Sequence, residues 1–310
     1  MPARRFSLPL ILLGCLFLGT CANAADVFVD NLLGEDTFSG GSSEPQGGTN
    51  GPVRSIQAAL RRAGGHGVIH LADHGIPYFE SIDISGRKFA NGGQGGLTID
   101  GHGAVVSGVF RIPSNAWESL GAGLWKIRPM RKAHYQLVNF DRAAPEVTVP
   151  PNTSELPKIA PGHWAAWKGV IYFQAGDQGW SAPDQLPLGL AAKDVGISIF
   201  DVNNVVIRNL TVRHFRLDGV NVHDRARGVV LENVLLVENG RSGLAVCGAS
   251  QVEVVGSELA GNRVAQLWLG EMGQAQLSET KLLPGKAGLP IRFAGGKLLI
   301  DGAQTFEPRR

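Results

Sequence analysis

The sequence predicts an all-β solenoid, and two observations carry that reading. From Ile197 onward the chain repeats about every 23 residues, in rows that open ISIFDVNNVVIRNLTV, VNVHDRARGVVLENVLLV, LAVCGASQVEVVGSELA, LWLGEMGQAQLSETKLL and LPIRFAGGKLLIDG. Their equivalent apolar positions are Val205, Val229, Val252, Ala275 and Leu298, at spacings of 24, 23, 23 and 23. A period of that size is the signature of stacked repeats. The first row also holds three short strand-like pieces, Ile197/Ile199, Val205/Ile207 and Leu210/Val212, and the rows show no helical periodicity. That separates them from a leucine-rich repeat, which has one strand per repeat backed by a helix or an extended piece.

Composition agrees. The 310 residues are 44% hydrophobic and 18% charged, a globular balance, and the 42 glycines favour tight turns over long helices.

Taken in order, residues 1–24 read as a signal peptide. Arg4 and Arg5 precede an apolar run from Phe6 to Leu18, and Ala22-Asn23-Ala24 has the small-x-small form of a cleavage site. The run is too short for a bilayer span, so the expectation is a secreted or periplasmic protein with no transmembrane segment in the mature chain. A lipoprotein is the weaker alternative, because Cys21 follows Leu18-Gly19-Thr20, a poor match to a lipobox. Removing the segment takes away two arginines and no acid, which leaves 27 residues of each sign and argues against a nucleic-acid partner. It also leaves Cys247 as the single thiol, so stability has to come from stacked apolar coils and not from a disulfide.

Residues 25–112 are expected to form an N-terminal cap and the first coils. DVFVD reads as a strand, residues 40–51 as a Gly/Ser-rich loop, and VIHLA (68–72), SIDIS (81–85) and LTIDG (97–101) as further strands. Between them SIQAALRRA (55–63) places Ile56, Ala59, Leu60 and Ala63 on one helical face, with Ser55 as N-cap and Gly64-Gly65 as stop. A helix of that size would cover the open end of a solenoid. His66, His70 and His74 are four apart, which gathers metal ligands only on a helix, and VIHLA reads as a strand. Residues 113–195 break the repeat. They hold five of the six tryptophans (Trp117, Trp125, Trp164, Trp167 and Trp180), and runs such as HYQLVNF and GVIYFQA predict a small antiparallel β insertion with its own aromatic core. Residues 196–310 are the C-terminal coils. There Asn209 and Asn233 occupy matching corners, where Asn tolerates a left-handed turn and stacked copies can hydrogen-bond along the axis.

The VFVD opening, SIQAALRRAG, GLTIDGHG, NVVIRNLTVRHFRLDGVNVHD and GVVLENVLLVENGRSGLAV together resemble a right-handed parallel β-helix protein of the pectin-lyase-like superfamily. The resemblance covers roughly 25–112 and 196–310 and implies a substrate groove over the first strand of each coil and the loop before it. On that mapping strand alternation sends Val220 and Val222 inward and Asn221 and His223 outward. The loop holding His214, Arg216 and Asp218 supplies an imidazole, a guanidinium and a carboxylate, Arg241 sits in the matching loop one row on, and Trp268 takes the outward place that matches Asn221.

Cleavage of an acidic polysaccharide by β-elimination needs a base for the C5 proton and a cation for the uronate carboxylate. His223 with Arg216 or Arg241 fits those roles, Asp218 completes the cluster, and Asn221, His214 and Trp268 are the expected substrate contacts. A hydrolase needs two carboxylates, and Asp218 with Asp224 is the local pair. The Asp-rich motifs of polygalacturonase-like hydrolases, the Arg-centred signatures of pectate lyases and calcium-binding nonapeptide repeats are all missing. No cofactor is therefore assigned, and calcium has no motif to support it. The alternative function is a non-catalytic carbohydrate- or protein-binding surface module.

Overall fold

The computed structural model describes residues 26–88, 96–139, 142–176, 183, 186–285 and 288–305. Residues 1–24, expected to be a signal peptide, and Trp180 lie outside them. The chain is a nearly all-β parallel solenoid with one α-helix and small antiparallel sheets.

Each coil passes through three sheets. The first holds Ile82–Ser85, Val195–Phe200, Asp218–His223, Ser242–Val246 and the leading halves of Ala265–Ser278 and Leu289–Ile300. The second holds Asp26–Val29, Gly67–Leu71, Leu97–Asp100, Asn203–Arg208, Arg227–Glu232, Gln251–Val255 and the trailing halves of the same two long strands. The third is Val105–Ser107, Thr211–Arg213, Leu235–Val237, Glu258–Ala260 and Lys281–Leu283. All these pairings are parallel, and the register joins Val205 to Val229, Val229 to Val252, Val252 to Ala275 and Ala275 to Leu298. That is the alignment read from the period. The inward positions of every coil, among them Ile197, Val220, Leu244 and Leu267, form one continuous buried core.

Polar ladders fix the corners. Where the second sheet turns into the third, Asn209, Asn233, Gly256 and Glu279 each take a left-handed φ of 50–56°. Asn233 donates to Asn209 Oδ1 at 2.8 Å, and Asn209 donates to Asp100 Oδ1 at 2.9 Å. Where the third sheet turns into the first, the ladder is buried. Asn239 Oδ1 accepts from Phe215 N, Asn262 Oδ1 accepts from Asn239 N at 2.9 Å, and Asn262 Nδ2 donates to Leu236 O at 2.8 Å. Both asparagines have no exposed surface. Buried backbone groups at a corner have no sheet partner, and these amides supply one.

At the N-terminal end α1 (Ile56–Ala63) packs Ile56, Ala58, Ala59, Leu60 and Ala63 onto the first coils. Ser55 accepts from Ala58 N, Gly64 closes the helix at φ 60°, and the Glu80 carboxylate accepts from Ile56 N and Gln57 N. His66, His70 and His74 go separate ways. His70 stacks between Phe28 and His102, while His74 Nε2 bonds Asp30 Oδ2 at 2.8 Å.

Between Val109 and Ala191 the chain leaves the solenoid and forms two four-stranded antiparallel sheets. They enclose a second core of Trp164, Phe173, Ile171, Leu137 and Trp117, with Trp125 against it. The Trp164 indole N–H, removed from water, donates to Ala144 O at 3.0 Å.

Two outcomes follow. Asn262→Ala strands Asn239 N and Leu236 O and lowers unfolding free energy by about 2–4 kcal/mol, whereas Asn233→Gly, at an exposed left-handed corner, changes it by about 0.5 kcal/mol or less in urea titrations. The second outcome concerns pH. Burial works to raise the Asp30 pKa, but the His74 hydrogen bond and the amides of Leu33 and Leu32 outweigh it and hold it below 3.8. The same hydrogen bond raises His74 above 6.5. The stability difference between wild type and Asp30→Asn is therefore largest between those two values. It falls as pH drops through the lowered Asp30 pKa and as pH rises through the raised His74 pKa.

Candidate functional site

Strand alternation gives the first sheet an outer surface with two columns. One runs Asp83, Ser198, Asn221, Ala245, Trp268 and Arg292 in register. The other includes Ser85, Phe200 and His223. Inward neighbours Val220 and Val222 have no exposed surface, so the outward direction of Asn221 and His223 is set by the pleat.

The seven residues singled out in the sequence divide into two groups. Asp218, Arg216 and His214 belong to the scaffold. Asp218 is fully buried; its Oδ1 accepts from Arg241 Nε at 2.8 Å and Ser242 Oγ at 2.6 Å, and its Oδ2 accepts from Asn221 Nδ2 at 2.9 Å and from Arg241 Nη2. With four donors and no path to water, it has no lone pair left for proton transfer to a substrate. This removes the Asp218/Asp224 pair as hydrolase machinery at this rim. Gly219 beside it is kept for closeness: a Cβ would lie 2.8 Å from Asn239 Nδ2 and from Gly243 O.

Arg216 turns toward the insertion. Its Nε donates to Asp194 Oδ1 at 2.7 Å and its Nη1 to Lys132 O at 3.1 Å. His214 is buried and bonds Glu238 Oε2 at 2.8 Å, a contact that is the main reason the Glu238 carboxyl lies below its usual range. Further along the same corner, His134 Nδ1 bonds Gly240 O at 3.0 Å, and Arg263 pairs with Glu146 at 2.8 Å and donates to Tyr135 O. The insertion thus sits on the loops that precede the first-sheet strands. Their polar side chains hold it there.

His223, Asn221, Arg241 and Trp268 stay on the outer surface. His223 keeps 37% of its side chain exposed, stacks on Phe200 at 5.0 Å with 10° between planes, and has Asp224 Oδ1 3.5 Å from Nδ1. Arg241 is held by Asp218, and that hydrogen bond raises its pKa further. Its guanidinium lies 5.1 Å from the Trp268 ring centre, and Arg292, from the following coil, lies 4.4 Å from it. One guanidinium comes from the coil before and one from the coil after, so the indole is flanked by charge.

Arg292 and Phe200 were not singled out in the sequence, although the signal was there. Arg292 stands in the row LPIRF at the place Trp268 holds in LWLGE, and Phe200 stands in ISIF at the place of His223. Arg292 is exposed and pairs with no carboxylate among the described residues. Cys247, between the coils of His223 and Trp268, is a free thiol whose pKa is pushed up by burial and then by Glu271 and Asp218. A raised pKa keeps it protonated and a poor nucleophile. Among the described residues no cluster of three or more His, Cys, Asp or Glu side chains has metal-site geometry. No helix among them is long and apolar enough to cross a membrane.

No protein-family profile and no curated protein sequence matches the chain. Among solved structures, one described as a glycoside hydrolase superposes with a TM-score of 0.59 at 13% identity, over 83% of this chain and 73% of that one. XylC in complex with xylose gives 0.38 at 10% identity over 89% and 69%, and the pectate lyase Pel9A gives 0.40 at 13% identity over 86% and 61%. The likeness is one of fold. The chain is a parallel β-helix.

The bonding of Asp218 predicts a scaffold phenotype. Asp218→Ala should cost about 3 kcal/mol, the low end for breaking a buried ion pair, because Arg241 keeps part of its surface in water. Asn221→Ala, on the outer surface, should cost less than about 1 kcal/mol. Guanidinium denaturation of the two variants measures both.

Proposed function

We propose that this protein recognises an acidic polysaccharide along the outer surface of its first sheet and cleaves it by β-elimination. The observation that carries the reading is the Arg241–Trp268–Arg292 stack on the same outer sheet surface as the exposed His223. The two guanidiniums lie 5.1 and 4.4 Å from one ring centre and offer paired, bidentate partners to the carboxylates of an acidic polymer.

In the proposed step His223 takes the proton from C5 of one uronate, while Arg241 and Arg292 hold carboxylates of sugars further along the polymer. The C4–O4 bond breaks, a C4–C5 double bond forms, and the departing sugar leaves as an alcohol once its oxygen is protonated. Asp224, 3.5 Å from His223 Nδ1, stabilises the imidazolium. Asn221 is the remaining polar contact, its amide oriented by Asp218. Export to the periplasm or beyond belongs to the same reading, since a polymer of this kind lies outside the cytoplasm.

A second reading, a non-catalytic glycan-binding module, draws on one specific finding: Asp218, Arg216 and His214 are all consumed in internal contacts. The two readings part in one experiment. Over a panel of uronate polymers, ultraviolet absorbance of the unsaturated product should appear with wild type and fall by about 10²- to 10⁴-fold in His223→Ala. Arg292→Glu should weaken binding by about tenfold or more. Undiminished cleavage by His223→Ala overturns the lyase step. Binding that is lost in Arg292→Glu with no cleavage by wild type selects the binding module.

A further inference from the structure

A concave surface lies away from the first sheet. It is a cleft of about 830 Å³ in the insertion, between the sheet that contains Val109–Arg111 and Leu188–Ala191 and the sheet that contains Glu118–Gly121 and Leu124–Ile127. A volume of that size suits a drug-sized molecule. Its walls are apolar: Phe110, Ile112, Ile127, Met130, Tyr135 and Leu190 line it. Phe110 is 59% exposed and Met130 wholly exposed, although a core of their own lies next to them. Exposed apolar side chains gathered around a concavity mark a surface that is covered in use.

The rim of the cleft is basic. Lys126, Arg128, Arg131 and Arg216 line it. Lys126 pairs with Glu118 at 2.8 Å, and Arg131 and Arg216 share the single carboxylate of Asp194. Arg128 is exposed and pairs with no carboxylate among the described residues. Among the described residues four cations therefore face two carboxylates, and the Arg128 guanidinium has no hydrogen-bond partner beside an apolar cavity. That combination selects against a neutral sugar, which offers the walls too little apolar area. It also selects against a simple inorganic anion, which leaves them wet.

We infer that this cleft is a second binding site, for a small amphiphilic organic anion whose apolar body lies between the two insertion sheets and whose acid group meets Arg128. The occupant is a single small molecule with an acyl or aryl body, because the cleft has a drug-sized volume and is not an extended flat face. The site is independent of the polysaccharide reading. It shares no residue with the Arg241–Trp268–Arg292 stack.

The test uses a matched pair of probes on the full chain, 8-anilinonaphthalene-1-sulfonate and N-phenyl-1-naphthylamine, which differ by the sulfonate alone. Fluorescence titration should show saturable binding of one sulfonate probe per chain, about tenfold or more tighter than the neutral probe. Octanoate should displace it and acetate should not. Arg128→Glu should weaken the sulfonate probe by about tenfold or more and leave the neutral probe unchanged, while Met130→Glu should weaken both. Both side chains are exposed, so both variants should keep the wild-type melting temperature. Equal affinity for the two probes, or undiminished sulfonate binding in Arg128→Glu, overturns the proposal. So does association with anionic phosphatidylglycerol vesicles in place of stoichiometric probe binding, which would make the exposed apolar rim a membrane contact.

Discussion

Each inward side chain of this molecule finds its neighbours in the coils before and after, so the coils have to stack in a single register. Val205, Val229, Val252, Ala275 and Leu298 are one column of that stack, and Ile197, Val220, Leu244 and Leu267 are another. Shifting any strand by one residue would turn its apolar set to water. The corners obey the same rule through hydrogen bonds, since Asn239 and Asn262 satisfy backbone groups of coils adjacent to their own.

The same register distributes the outward side chains. It puts Asn221, Trp268 and Arg292 in one column and Phe200 and His223 in the next, so a line of aromatic and cationic groups follows directly from the core that lies beneath it. The corner between the third and first sheets has a different task. The insertion has to be anchored somewhere, and Arg216, Glu238, Gly240 and Arg263 anchor it. The polar residues of these loops are therefore spent on attachment. Asp218, one step inside, is spent on fixing Arg241. What remains for a ligand is the sheet surface itself and the cleft in the insertion.

The coils were legible in the sequence because both the period and the alternation are local. The column from Val205 to Leu298, the Ser55 cap and the Asn209/Asn233 corner all come from spacing and residue type. The outward directions of Asn221 and His223 were legible for the same reason. The roles of Asp218, Arg216 and His214 were not, because each depends on a partner that the row alignment does not weigh. Asp218 is filled by Arg241 and Ser242 one coil on, and Arg216 by Asp194 and by a carbonyl from the middle of the insertion. Trp268 reads as a stacking platform only while its neighbours are unknown; Arg241 and Arg292 flank it. The insertion, without a period, yields a strand pattern and an aromatic core but no cleft. Phe110 and Leu190 meet across a strand pairing that joins residues 80 apart.

The proposed ligand-binding surface is the outer face of the first sheet. Amide hydrogen exchange with and without a uronate oligosaccharide tests it most directly, coil by coil. Slowed exchange is expected in Asp218–His223, Ser242–Val246 and the leading halves of Ala265–Ser278 and Leu289–Ile300, with Gln251–Val255 and Glu258–Ala260 unchanged. Slowed exchange confined to the second or third sheet or to the insertion, or no change anywhere at saturating oligosaccharide, would contradict it.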